Sequence, residues 1–387
     1  MIGAMARRMT SPVLVGRSTV VEQIGAAFEA TRTGTPRHVV IGGEAGVGKT
    51  RMLDETGSMA RDAGARVLLG GCVSMGDEGL PFAPYTEIVR SLVAEDGAAQ
   101  VVAMAGRGSG DLARLVPALG GDDTARDVER HSQPRLLEAI LDVFQRLAAR
   151  SPLVVQLEDL HWADAGTLAA TSYLLRAIGA EPITIRATSR SDEITRRHPM
   201  RRWLAEVARD NAVERVDLEP LDDHEIATLA RHITGRDLTA DELADIAVRS
   251  DGNPFFIEEL LTTLDEGAAI PGELRDLLLA RVDALQPSTQ ELLDIAAVGG
   301  RVVEHETLLE VMGEQVGEIG ADLRELVGAG LLVPTQALDG DDAYAFRHAL
   351  LLEAVYDGML PTERRDLHRR WGAALAAHDT APVSYTH

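Results

Sequence analysis

Short runs of apolar residues alternate with amphipathic stretches over roughly the first 220 positions of the chain. The runs are Arg37–Ile41, Arg66–Gly70, Leu153–Leu157, Ile183–Ala187 and Val216–Leu218. The first is β-branched and ends at Gly42-Gly43, and all have the length of strands. Between them apolar positions recur at helical spacing: Met52, Leu53, Met59 and Ala60, then Leu137, Ile140, Leu141 and Phe144 behind Pro134 at a first-turn position. Strands alternating with helices predict an α/β fold, a mostly parallel sheet with helices on both faces. Ligands of such sheets bind at the carboxyl ends of the strands.

Two regions depart from that alternation. Residues 73–133 read as a helical insertion carrying a loop rich in Gly, Asp and Ala, Gly106–Asp127. Beyond about residue 220 the strands largely cease. Leu221–Leu264 reads as short helices broken at Gly235 and at Gly252-Asn253-Pro254. Helices are then expected at 273–284 and 289–298, with Ser288 and Glu291 spaced as a capping box for the second. Two more helices precede short strands at Leu331–Val333 and Tyr344–His348, which flank a Gly/Asp turn. Helices followed by a hairpin outline a winged helix. The expected organisation is an α/β domain at 1–219 with the insertion 73–133, a helical lid at 220–268, a winged-helix domain at 269–378, and a tail at 379–387 that does not continue the last helix.

Composition narrows the class. At 387 residues, 45% hydrophobic and 26% charged, the chain is too long for one ordinary core and has a globular balance. No run of 18 or more apolar residues occurs, so no membrane span and no membrane partner are expected. The N-terminal segment has Arg7 and Arg8 but no apolar stretch behind them, unlike a secretory signal; Met1, Met5 and Met9 leave the start codon open. The single Cys72 follows an apolar run, cannot form an internal disulfide and reads as a buried thiol in a reducing cytoplasm. A net charge of −23 opposes broad binding to nucleic acid, and aromatics at 4% leave little for base stacking.

The chain has one lysine beside 37 arginines, and it stands in Gly43-Glu44-Ala45-Gly46-Val47-Gly48-Lys49-Thr50. This Gly-x4-Gly-Lys-Thr pattern, between a strand and a helix, is a phosphate-binding loop. Its glycines let backbone N–H groups converge on phosphate oxygens, and the helix N-terminus adds its positive end. A compact ammonium can reach between β- and γ-phosphates where a planar guanidinium fits poorly. The ligands expected are ATP or ADP with Mg²⁺, with the Thr50 hydroxyl on the metal. About 110 residues later a buried strand ends in Glu158-Asp159. Carboxylates there can hold Mg²⁺ through water or accept a proton from an attacking water. Which of the two does which is left open, with Asp159 favoured as base and Glu158 for Mg²⁺. Arg190, just past the strand Ile183–Thr188, is a candidate to sense or neutralise the γ-phosphate. The neighbouring Arg196, Arg197, Arg201 and Arg202 read as solvated surface. The histidines show no pair with cysteine at zinc spacing.

Together these motifs resemble the STAND signal-transduction ATPases, and in particular the ATPase core of large LuxR-type, MalT-like bacterial transcription regulators, over about residues 13–375. Val15-Gly16-Arg17 resembles the family's opening element, whose backbone cradles adenine. Leu157–Asp164, Leu-Glu-Asp-Leu-His-Trp-Ala-Asp, is very close to the family's second nucleotide motif. Thr188-Ser189-Arg190 matches its sensor strand, and Leu218–Leu221 the approach to its helical lid. Gly252–Leu260 resembles the lid motif, so Pro254 is implied to pack on adenine. Phe346-Arg347-His348 resembles a winged-helix motif, so His348 is implied to reach the β-phosphate of ADP. One departure is Glu158, where the family commonly has Asp.

The resemblance implies an ASCE/AAA-like P-loop NTPase sheet with a lid and a winged helix. It also implies a slowly hydrolysing ATPase switch in the cytoplasm, self-association in the ATP state, and an unknown inducer acting through a C-terminal sensor. The winged helix of this family regulates nucleotide state, and no direct DNA binding is expected of this fragment. Glu318, Asp322 and Glu325 outnumbering Arg324 on the candidate groove-facing helix agrees with that. The tail Pro382–His387 reads as adapter read-through at the end of a truncated gene. Rival expectations are an AAA+ initiator ATPase of the origin-recognition group, the module fused to class III adenylate cyclases, and an adaptor that holds nucleotide only for support.

Overall fold

The computed structural model describes residues 11–378, apart from 12, 76–77, 121–131, 193, 195–197, 263, 265–269, 314–318 and 338–339. Arg196, Arg197, Glu318, the far part of the Gly/Asp loop and the tail therefore lie outside the described residues. The chain divides into two compact units, one of Leu14–Glu219 and the other of the residues from Pro220 onward together with those before Leu14.

In the first unit the strands are β1 (His38–Gly42), β2 (Arg66–Gly71), a short antiparallel pair β3 (Ser74–Met75) and β4 (Glu78–Gly79), β5 (Leu153–Glu158), β6 (Ile183–Thr188) and β7 (Val213–Asp217). Its helices are α1 (Ser18–Arg32), α2 (Lys49–Asp62), α3 (Ala83–Asp96), α4 (Ala98–Ala105), α5 (Ser109–Leu112), α6 (Ser132–Ala148), α7 (Ala165–Ala177) and α8 (Pro199–Val207). The five long strands form one parallel sheet in the order β2-β5-β6-β1-β7. β1 and β6 are buried along their whole length and β5 up to Glu158, whereas the edge strands β2 and β7 are partly exposed. The three central strands are thus buried on both faces, with the polar Gln156, Thr184 and Arg186 buried among their apolar residues.

The order matters for the site. β6 lies between β1 and β5, with Val40 opposite Ala187 and Val155 opposite Ile185. The loops after β1, β6 and β5 therefore leave the sheet side by side. The insertion packs into the main core through Tyr85, Ile88, Leu92, Val101 and Leu112. The start of the expected Gly-rich loop is more ordered than predicted: Gly106–Gly108 forms a 3-10 turn that runs directly into α5. Cys72 is buried, and that burial, with Asp159 and Asp164 nearby, pushes its thiol up to about 12.

His38 is 0% exposed, and its Nδ1 accepts the Ile185 backbone N–H at 3.1 Å. Burial lowers its pKa from 6.5 to about 4, against smaller opposing effects of Asp210 and the Leu175 backbone. The fold thus favours the neutral ring. The resulting stability, up to about 3 kcal/mol, is present above the unfolded pKa and lost as pH falls through the folded one. We expect the urea midpoint to drop between pH 6.5 and about 4. His38→Gln, whose amide oxygen can still accept from Ile185, should flatten that drop.

The second unit opens with α9 (Asp223–Thr234), α10 (Ala240–Ser250) and α11 (Pro254–Thr262). It continues with α12 (Gly272–Asp283), α13 (Pro287–Gly299), β8 (Val302–Glu304), α14 (His305–Met312), α15 (Ile319–Gly328), β9 (Leu332–Gln336), β10 (Asp342–Phe346), α16 (Ala349–Gly358) and α17 (Pro361–His378). The sheet is antiparallel in the order β8-β10-β9, so the expected hairpin gains a third strand. Its core joins Phe256 and Leu260 of α11 to Leu292, Leu326, Phe346 and Leu350.

Two local expectations fail here. The capping box at Ser288 and Glu291 does not form, because Pro287 already starts α13 and the Ser288 hydroxyl donates to Asp322 at 3.0 Å. Capping boxes form instead at Asp222–Glu225 and Thr239–Glu242. Asp322 is buried and also accepts from the Thr289 hydroxyl, which hydrogen-bonds Glu325 as well. Both acids are thus tied to α13 and do not form an outward acidic face.

Candidate functional site

The phosphate loop leaves β1 at Gly43 and enters α2 at Lys49. Gly43 has φ 147°, and a Cβ there would come 2.8 Å from Val47 Cγ1 and 3.1 Å from the Leu218 carbonyl oxygen. Gly46 and Gly48 have φ of 80° and 103°, a region that costs other residues strain. Val47 is buried with Ile41, Met52 and Leu53, which anchors the loop from beneath. Gly48 caps α2 without a side chain, so the first-turn N–H groups are not covered by a capping group. Those open donors and the helix dipole suit an anion.

Lys49 is 7% exposed, and its Nζ donates to the carbonyls of Gly43 at 2.9 Å and Glu44 at 2.6 Å. The ammonium is thus held over the loop's own concavity. Ala45 and Gly46 form the turn at the loop's tip. Gly16 has φ 70° and precedes Arg17, whose Nη2 donates to the carbonyls of Val47 at 3.4 Å and Glu219 at 2.6 Å. Arg17 therefore supports the loop's backbone from the side.

At the end of β5, the Glu158 carboxyl hydrogen-bonds with Thr50 at the start of α2. Burial is the main cause raising its pKa; the Thr50 bond opposes this, and Asp159, Asp54 and Glu87 push it further up. Among the described residues no group of three or more His, Cys, Asp or Glu is placed to hold a metal. One hydroxyl and one carboxylate, both hard oxygen donors, suit Mg²⁺ that takes its other ligands from phosphate and water. Thr50 and Glu158 would hold it.

The raised pKa has a consequence for stability. A carboxyl raised in the fold contributes fully below its unfolded pKa, and the contribution is lost as pH rises through the folded value. Glu158→Gln should match the parent protein at about pH 3, below the ordinary glutamate range, and be the more stable of the two near neutrality. Thermal melts across that range check the sign.

Asp159 adopts φ 54°, one of three positive values at non-glycine residues among the described ones. Its N–H donates to the Thr188 hydroxyl at 3.0 Å, which ties the end of β5 to the end of β6. Strained backbone at a strand end is where polar side chains are re-aimed. Past β6, Ser189 N–H donates to the Ile41 carbonyl at 2.9 Å and Ser191 N–H to that of Gly43 at 3.2 Å. Arg190 is therefore pinned beside the phosphate loop. Its N–H donates to His161 Nδ1 at 3.4 Å, and its guanidinium lies 5.0 Å from the centre of the Trp162 ring. The structure thus gathers Lys49, Thr50, Glu158, Asp159 and Arg190 at one end of the sheet.

Pro254 and His348 belong to the second unit. Gly252 has φ 72°, and its carbonyl accepts from Leu221 N–H at 2.8 Å. A Cβ on Gly252 would meet the Leu221 oxygen at 2.3 Å. The tight turn it makes delivers Pro254 to the first position of α11. His348 is not a strand residue: it caps α16 and packs edge-on against Phe256, ring centres 5.2 Å apart.

Sequence reading passed over Gln156 and Arg186. They are register partners on β5 and β6, both buried, and each reaches the phosphate-loop helix. Gln156 Nε2 donates to the Leu53 carbonyl at 2.7 Å and Arg186 Nη1 to that of Thr56 at 2.9 Å. Gly57 leaves the room, since a Cβ there would lie 2.9 Å from Gln156 Nε2. The available signal was a polar residue inside each of two apolar runs.

Residues 13–186 match the family model described as an AAA ATPase domain. The chain is 27% identical over 399 aligned positions to an uncharacterized protein of Rhizobium meliloti (strain 1021), covering 95% of this chain and 37% of that one. It thus spans little more than a third of that relative's length. Among solved structures it is similar to a STAND protein with a tetratricopeptide repeat sensor from Pyrococcus horikoshii. That match has 16% identity and TM-score 0.36, covering 98% of this chain and 48% of the other. It is also similar to the Aeropyrum pernix ORC2 protein, at 14% identity and TM-score 0.48 over 97% and 99% of the two chains. The phosphate loop and the paired carboxylates both lie within the stretch 13–186 that matches the AAA ATPase family model, so the match and the geometry agree on a P-loop ATPase fold.

Proposed function

We propose that the chain binds ATP with Mg²⁺ and hydrolyses it slowly, as the nucleotide switch of a signal-transduction ATPase of the LuxR-regulator type. The observation that carries this reading is the convergence of Lys49, Thr50, Glu158, Asp159 and Arg190 on one end of the sheet. ATP supplies the phosphoanhydride to be cleaved, and Mg²⁺ would offset the charge that develops on its phosphates. This chain's residues do the rest. The loop N–H groups and Lys49 bind phosphate, Thr50 and Glu158 orient the metal, and Asp159 takes the proton of the attacking water. Arg190 answers to the γ-phosphate. The string Glu158–Asp164 supports the STAND assignment, with Glu158 still the departure from it. The element order from α12 to β10, two helices, a strand, two helices and two strands, supports reading 269–378 as a winged helix. In that reading Pro254 and His348 are the residues of the lid and winged helix that respond to nucleotide. Steady-state phosphate release is the test: turnover below about 0.1 s⁻¹ is expected, against roughly 10 s⁻¹ for a median enzyme. Fast turnover would remove the switch reading and leave the ATPase.

A second reading, an initiator-type ATPase that grips DNA, gains from one observation. Asp322 and Glu325 are turned into α13, so α15 does not present the acidic face that argued against a nucleic-acid groove. Filter binding to duplex DNA at low salt separates the two; retention that weakens steeply with salt favours the initiator.

A further inference from the structure

We infer that Trp162 is a resting platform for Arg190 and that it sets how strongly the domain prefers ATP to ADP. This rests on the reading of Arg190 as the residue that answers to the γ-phosphate. The backbone around Arg190 is fixed from three sides. Ser189 and Ser191 donate to the carbonyls of Ile41 and Gly43, and the Arg190 N–H donates to His161 Nδ1. A nitrogen that accepts from an amide carries no proton, so the imidazole holds Arg190 as an acceptor and does not use that nitrogen to donate to Asp159, 3.8 Å away. His161 is buried, which makes it a firm post.

With the backbone held, any response of Arg190 to nucleotide falls to its side chain. It lies over the Trp162 indole at 5.0 Å, and Trp162 is only half-buried. A cation over an exposed indole is worth about two- to fivefold in an equilibrium constant. A charge-assisted, two-pronged contact with a phosphate is stronger, so ATP can draw Arg190 off the ring. ADP offers no γ-phosphate, and the arginine stays. The indole therefore weakens ATP binding by the value of the stack and leaves ADP binding alone. Trp162 is a positioning residue acting through Arg190.

The platform also supplies its own reporter. The other two tryptophans, Trp203 and Trp371, are 5% and 7% exposed, with their Nε1 groups bonded to the Leu168 and Ile295 carbonyls. Emission should change when a non-hydrolysable ATP analogue binds and change little with ADP.

The test is a set of calorimetric titrations of that analogue and of ADP with Mg²⁺, on the parent chain, Trp162→Leu, Arg190→Ala and the double variant. Trp162→Leu should tighten the analogue about two- to fivefold, leave ADP unchanged, and have no effect once Arg190 is alanine. Trp162→Phe keeps an aromatic face and should fall between, which guards against a folding defect in the leucine variant. Equal changes for both nucleotides, or a gain that persists without Arg190, would overturn the inference. If Arg190→Ala itself leaves the preference for ATP over ADP intact, the sensor reading fails first. If it abolishes the preference while Trp162→Leu does nothing, only the platform fails.

Discussion

Lys49→Ala is expected to weaken ATP binding on the order of 100-fold, about 3 kcal/mol, because it removes a buried cation from an anion site. The helix should survive. Alanine has the highest helix propensity, and α2 is held independently by Gln156, Arg186 and the packing of Met52 and Leu53. The Gly43 and Glu44 carbonyls lose a donor, and Glu44 is partly exposed, so water can replace it there. Calorimetric titration with ATP and Mg²⁺, beside a thermal melt, separates binding from folding. A folded Lys49→Ala protein of unaltered affinity would falsify the nucleotide site. Lys49→Arg should fail nearly as badly in a chain otherwise rich in arginine. A planar fork does not fit where one ammonium is held by two adjacent carbonyls.

Asp159→Asn is expected to keep ATP binding and lower hydrolysis by about 10²- to 10⁴-fold, the range for removing a general base. Asparagine suits the test for a backbone reason. Asp159 sits at φ 54°, and asparagine is among the few residues that visit this region readily. The Thr188 bond to its N–H should therefore persist, and the loss can be assigned to the missing carboxylate. Glu158→Gln is the contrast: it should raise the Mg²⁺ concentration needed for tight ATP binding, because it weakens the donor beside Thr50. Phosphate release from Asp159→Asn at the parent rate would move the base to Glu158. The opposite pattern, lost binding with Asp159→Asn and unaltered Mg²⁺ demand with Glu158→Gln, would exchange the two roles.

The two kinds of residue in the site were unequally legible. Gly43, Gly48, Lys49 and Thr50 form a contiguous string whose spacing has a direct physical reason, since a loop that wraps phosphate with its backbone must be local. Glu158-Asp159 was legible only beside the phosphate loop, because acids at a strand end equally suit the N-terminus of a following helix. Arg186 and Gln156 were not, because each looks like an interruption of an apolar run until β5 and β6 are known to be neighbours. Ser288 and Glu291 had the spacing of a capping box, yet Pro287 opens the helix and Asp322, far along the chain, takes the Ser288 hydroxyl. Asp322 and Glu325 had the look of an exposed acidic face and instead accept from Thr289.

By itself the sequence determined what short-range physics controls. Burial on both faces favours short, largely apolar runs, and backbone contact with phosphate demands glycines at set intervals. Those demands are written within a few consecutive residues, so the parallel α/β sheet and its phosphate loop could be read directly. The tertiary structure alone decided the pairings between distant segments. It placed β6 between β1 and β5, joined Asp159 to Thr188, laced Ser189 and Ser191 to the phosphate-loop strand, and laid Arg190 over Trp162. Apart from the strand order, each of these is a contact of a few atoms between segments distant along the chain. Its energy is too small to leave a pattern in composition or periodicity, and it exists only once the whole sheet has closed the distance.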